Sequence, residues 1–118
     1  MEAKRVGFVA ILDLQTSPEQ SRAERLIAEY AHIHYFNLPI AGLPSQQQIQ
    51  EFANIVQNPS YLPVLVHGED LDQVGAVWAL YRAALGVPSE IALADGITAG
   101  LGPSFNAVRE RLGLPVRR

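Results

Sequence analysis

The chain has 118 residues, 48% of them apolar and 18% charged, with a net charge of -3. That length and balance predict one globular domain over 1–118 with one hydrophobic core. Nine basic against twelve acidic residues argue against nucleic-acid binding, the more so because Lys4-Arg5 and Arg117-Arg118 sit at the ends. No cysteine occurs, which removes disulfides, thiolate metal sites and thiol nucleophiles together. With no signal-peptide pattern and no apolar run of membrane length, the expectation is a cytoplasmic protein that does not engage a membrane.

Val6 to Leu14 is continuously apolar apart from Asp13, as for a strand buried on both faces. Ser17-Pro18-Glu19-Gln20 supplies an N-cap, a Pro at the first helical position and a capping-box partner. The helix it opens should reach about Ala31, with Ala23, Leu26, Ile27 and Tyr30 inward at helical spacing. His32 to Leu38 reads as a second strand, with His32 and His34 on one face as an ordinary solvent-facing pair rather than a metal pair. Ser45 and Gln48 predict another capping box, opening a helix to about Gln57 with Ile49, Phe52, Ala53 and Val56 inward. Leu62 to His67 is the third strand. A helix from about Asp72 to Ala84 should bury Val74, Val77, Trp78 and Tyr81, and Gly86 stops it. Ser89 is expected to cap a helix through Ala99, and Ser104 a last one ending at Gly113. Strands alternating with helices predict an α/β fold with a short, mainly parallel central sheet flanked by helices.

The segment from Pro63 through His67 to Trp78 is a buried strand, a short loop and a helix start, the layout whose backbone N–H groups favour anions. The loop contains no Cys, Arg or Lys and carries Glu69, Asp70 and Asp72. Each carboxylate repels a phosphate dianion by roughly 6–7 kcal/mol at about 5 Å and an effective dielectric of about 20. That outweighs a hydrogen bond of about 1 kcal/mol, so phosphate is disfavoured unless these side chains point away. The simplest role for the acids is local. Asp70 or Asp72 caps the following helix and Glu69 reaches solvent. A divalent-cation site from Glu69, Asp70, Asp72 and His67 is the second reading, although the spacing matches no standard calcium loop. A protein-binding loop is the third.

From Asp13 to Leu114 the chain resembles the bacterial dual-specificity-like phosphatases, a branch of the tyrosine-phosphatase fold. Val64-Leu65-Val66-His67 is similar to the family's strand ahead of its phosphate loop, and Val74 to Arg82 to the helix after it. Ile11 to Leu14 and His34 to Pro39 are similar to earlier family strands, and Gly86 to Gly113 to the family tail. The resemblance implies that the nucleophilic Cys position falls on Gly68, the phosphate-clamping Arg on Gln73, and a further Arg on Gln15. The region after Pro39, where related phosphatases keep a general acid, reads Ile40-Ala41-Gly42. Gly68 cannot attack phosphorus, and the neutral amide of Gln73 cannot neutralise a transferring phosphoryl group. In this family the strand His is a scaffold residue bonded to the loop, which is the role expected of His67.

These features predict a non-catalytic pseudophosphatase that binds a protein or a small molecule, without a cofactor and with no catalytic residue. The tentative ligand-binding stretch is His67, Gly68, Glu69, Asp70, Leu71, Asp72, Gln73 and Val74. The alternatives are a metal-assisted hydrolase and a phosphate-recognising domain, both through the remodelled 67–75 loop. The resembled family also carries a strand and helix before the segment matching Ile11 to Leu14, where this chain has about five residues ahead of Val6. The 62–67 strand should then be a sheet edge, and a homodimer burying that edge or the neighbouring helix is expected.

Overall fold

A strand buried on both faces needs a neighbour on each edge to satisfy its backbone and a packing layer on each face, and Ala10–Asp13 (β1) has all of these. In the computed structural model, which describes residues 7–116, β1 lies between His34–Asn37 (β2) and Val64–His67 (β3), all parallel. Ala10, Ile11, Leu12 and Asp13 are all fully buried. The expected strand start at Val6, the residues ahead of it, and the basic pairs at both ends lie outside the described residues. Among the described residues β3 pairs only with β1 and is a sheet edge, as expected from the family resemblance, and β2 is the other edge.

Around this sheet run Pro18–Tyr30 (α1), Gln46–Val56 (α2), a 3-10 turn at Pro59–Tyr61, Leu71–Ala84 (α3), Ser89–Thr98 (α4) and Phe105–Arg111 (α5). The side chains of β1 alternate between two packing layers. Leu12, with Leu14 just beyond the strand, joins Leu38, Ile40, Phe52, Val77 and Tyr81 on the side of α2 and α3. Ile11 packs with Ala28, Ile33 and Tyr35 under α1. A further cluster of Ala76, Ala79, Leu80, Leu93, Leu101 and Val108 ties α4 and α5 to α3. One face of the sheet is thus thickly layered, and the other carries α1.

The local signals meet different fates. Ser17 caps α1 by accepting from the Gln20 N–H, and Ser45 with Gln48 forms the full capping box of α2. Phe52 and Ala53 are buried as expected, with Ile49 and Val56 half-buried. The inward face expected of α1 is turned outward: Ala23, Leu26, Ile27 and Tyr30 are all exposed, and Ser21 and Ala28 are buried instead. The reason is steric and polar. Tyr35 and Ile33 already fill the sheet face, so small residues let the helix approach, and Ser21 Oγ meets the Tyr35 hydroxyl at 3.0 Å. Ser89 is the first residue of α4 rather than its cap, and its hydroxyl donates to the Leu112 carbonyl. Ser104 precedes α5, but its hydroxyl is drawn to Asp72. His32 sits outside β2 with φ of 58°, and the exposed His34 ring meets Tyr61 edge-on, so the two do not share a strand face.

Candidate functional site

In a parallel sheet the loops after the carboxyl ends of the strands carry the site. Here the register pairs Asp13 with Asn37 on one side and with His67 on the other, so all three strands end level. The loop after β3, 68–70, feeds directly into α3, and Asp70 is its N-cap, accepting from the Gln73 N–H at 2.8 Å. This is the local role the sequence suggests for one of the acids.

Gln73, on the first turn of α3, folds its side chain back into the loop. Its Oε1 accepts from the Glu69 N–H at 2.9 Å, and its Nε2 donates to the carbonyls of Leu14 at 3.2 Å and Ile40 at 2.7 Å. The amide therefore takes a loop N–H that would otherwise be free for an anion and ties the loop to the two chain segments leaving the other strands. Gly68 is shaped by it: a Cβ there would lie 1.9 Å from Gln73 Oε1 and 2.9 Å from its Cδ. Glycine at 68 and glutamine at 73 are one steric unit.

The remaining acids are also engaged. Glu69 accepts from the Thr16 hydroxyl at 2.8 Å, so it is tethered to the loop after β1. Asp72 accepts from the N–H groups of Gly102 and Ser104, at 2.8 and 2.9 Å, and from the Ser104 hydroxyl at 2.6 Å. Desolvation pushes the Asp72 carboxyl up, but these three donors outweigh it and hold it below its ordinary value. Asp72 thus fastens the segment between α4 and α5 to the start of α3. Leu71 is 70% exposed. Val74 is half-buried against the core rather than turned to the loop. Gly75 is buried where the chain passes closest, because a Cβ there would meet the Leu101 backbone N at 2.2 Å.

Above the loop is an open cavity of about 470 Å³, bordered by Thr16, Ile40, Ala41, Glu69, Asp70 and Gln73 among others. Among the described residues no Lys or Arg lines it. Its rim is acidic.

His67 turns away from this loop, to the α1 side of the sheet. Its Nε2 lies 2.5 Å from Glu24 Oε1 and 3.8 Å from Asp13 Oδ1. Asp13, fully buried, accepts from the Gln15 N–H at 3.0 Å, from Gln15 Nε2 at 2.6 Å and from the Tyr35 hydroxyl. Gln15 Nε2 also donates to Glu24 Oε2 at 3.0 Å, so one amide bridges the two carboxylates. Burial pushes the Glu24 carboxyl up and the neighbouring Asp13 adds to the rise, against the opposing pull of His67. Burial, then the bond to Asp13, pushes the Tyr35 hydroxyl well above its ordinary value. Asp13, Glu24 and His67 each offer one ligand atom within 4.8 Å of the others, and so form a geometrically possible metal-binding group. The sequence assigns His67 to the loop, as a scaffold residue first and beside the loop acids second; its side chain faces Glu24 and Asp13 instead. The available signal was Asp13 itself, since a carboxylate inside a buried strand demands partners.

No protein-family model matches the sequence, and no curated protein matches it. Solved structures do. A mutant form of Tk-PTP superposes with a TM-score of 0.71 at 20% identity, covering 94% of this chain and 81% of that one. The core catalytic domain of the PP-IP phosphatase SIW14 from S. cerevisiae gives a TM-score of 0.73 at 14% identity, covering 95% and 70%. TpbA of P. aeruginosa, in complex with pTyr, gives 0.65 at 15% identity, covering 95% and 77%. Strand order, loop position and superposition together give this chain the fold of the tyrosine- and dual-specificity-type phosphatases.

Proposed function

We propose that this protein is a pseudophosphatase: a phosphatase-fold protein that transfers no phosphoryl group and works by binding. The observation that carries the reading is the Gln73 amide, held in the loop by the Glu69 N–H and the Leu14 and Ile40 carbonyls. Phosphoryl transfer at this position needs a nucleophile at the end of β3 and a cation to offset the developing charge. Gly68 supplies no nucleophile, Gln73 is neutral, and the cavity rim carries Glu69 and Asp70. A phosphorylated ligand entering the cavity meets like charge, so a neutral or cationic group of a protein or small molecule is the better match.

The test is hydrolysis of an aryl phosphate by the natural protein, with and without Mg and Mn, beside a Gly68→Cys/Gln73→Arg variant. The proposal expects no turnover by the natural protein in any condition. Metal-dependent turnover that disappears in Asp70→Asn and Asp72→Asn variants would replace this reading with a metal-assisted hydrolase.

A further inference from the structure

α1 has two faces, and the described residues cover one. Ser21 and Ala28 are buried against the sheet. Ala23, Leu26, Ile27 and Tyr30 point away from it, with Leu26 62%, Ile27 56% and Tyr30 90% exposed. Their spacing of three and four residues makes one continuous apolar stripe along the helix. The large side chains expose on the order of 400 Å², as much as the largest apolar patch of an ordinary monomer. That is about half of the ~800 Å² that each side of a standard interface buries.

The flank of the stripe indicates what covers it. Arg22 and Glu29 are seven residues apart, two helical turns, and so lie on the same flank with Leu26 between them. Both are exposed, and the ion pairs among the described residues involve His67, Arg82 and Arg109 instead. A parallel two-fold pair of α1 helices would put this flank on opposite sides of the seam in the two protomers, so Arg22 and Glu29 would not meet their own copies across it. An antiparallel pair related by a two-fold axis sets Arg22 of one protomer beside Glu29 of the other, twice. The stripe is self-complementary in shape and its flank is self-complementary in charge.

We propose that a second copy of this chain covers the stripe, forming a two-fold dimer on antiparallel α1 helices that cross near Leu26 and Ile27. The edge strand β3 is the weaker candidate for this contact, being four residues long and half-buried. An apolar centre half the standard size predicts a reversible dimer with a dissociation constant in the micromolar range.

The test is the mass in solution, by light scattering and sedimentation, between about 5 and 500 μM. The natural protein should pass from monomer to dimer across that range. Ile27→Asp should remain a monomer with an unchanged circular dichroism spectrum. Arg22→Glu and Glu29→Arg should each weaken the dimer by about tenfold or more, because each homodimer then opposes like charges twice. Mixing those two variants should recover the dimer, since the heterodimer restores both opposite-charge pairs. The absence of native cysteine gives a second measurement: Leu26→Cys should oxidise to a covalent dimer far faster than Gln50→Cys, placed on α2. A monomer throughout the range overturns the proposal. So does a dimer indifferent to Ile27→Asp and to the charge reversals, which would place the contact elsewhere.

Discussion

The loop after β3 and the outer face of α1 differ in how far the chain answers its own exposed groups. In the loop, side chains answer the polar groups that a ligand would use: Gln73 takes the Glu69 N–H, Asp70 takes the Gln73 N–H, and Thr16 holds Glu69. On α1, Leu26, Ile27 and Tyr30 stand out in solvent, largely uncovered by the described residues. A loop N–H already taken by Gln73, beside two carboxylates, is a poor grip for an anion, whereas uncovered apolar area is free energy still available for association. The loop with its own internal contacts and the helix face without them lie on opposite sides of the sheet.

The largest way to break this comparison is at the base of the closed region. Gly75→Ala forces a Cβ against the backbone of Leu101 and Gly96, neither of which can move independently. A loss of ~3 kcal/mol or more is expected, measured by denaturant unfolding; a loss below about 1 kcal/mol would show that α3 and the 96–101 segment are not in close contact.

Gly68→Ala is the next largest and the most specific. Its Cβ displaces a flexible amide rather than backbone, so Gln73 swings out and its hydrogen bonds are lost, costing about 1–3 kcal/mol. In a Gln73→Ala background the same change should cost much less, and the coupling in that double-mutant cycle measures the steric unit. Additive effects would mean that the two residues do not meet.

Asp72→Asn sharpens the comparison through pH. The folded carboxyl lies below its ordinary value of 3.8, so its contribution to stability is full above that pH and disappears as pH falls through the folded value. The variant should lose about 1–2 kcal/mol at neutral pH, and its stability should fall less steeply than that of the natural protein below about pH 4. Equal acid slopes in the two proteins would separate Asp72 from the Ser104 and Gly102 donors. The smallest effect belongs to the open region. Ile27→Ser should change monomer stability by no more than about 0.5 kcal/mol, because an exposed side chain has little burial to lose.

Much of the fold could be read from the residues because burial and capping leave local marks. The apolar run at Ala10–Leu14, the Ser45–Gln48 box and the run at Val64–His67 each name an element without reference to the rest of the chain. The face of α1 was not legible in the same way. Its apolar spacing is that of an inward stripe, and only the bulk of Tyr35 and Ile33 across the sheet shows that Ser21 and Ala28 must go inward. The site was legible in part. That Gly68 and Gln73 carry neither a thiol nor a charge is a matter of residue type and needs no coordinates. That Gln73 folds back onto Glu69, that Asp72 reaches Ser104, and that Glu24 meets His67 are contacts between segments distant in sequence, which spacing does not encode.

The most direct measurement is a titration with inorganic phosphate, followed by the backbone amide resonances of Gly68 to Gln73. With the Gln73 amide on the Glu69 N–H, phosphate at tens of millimolar should leave those resonances unmoved apart from the uniform drift that salt produces. A saturable shift centred on Glu69 and Asp70 would show that the loop opens to an anion, and would contradict the account of a phosphatase fold closed from within.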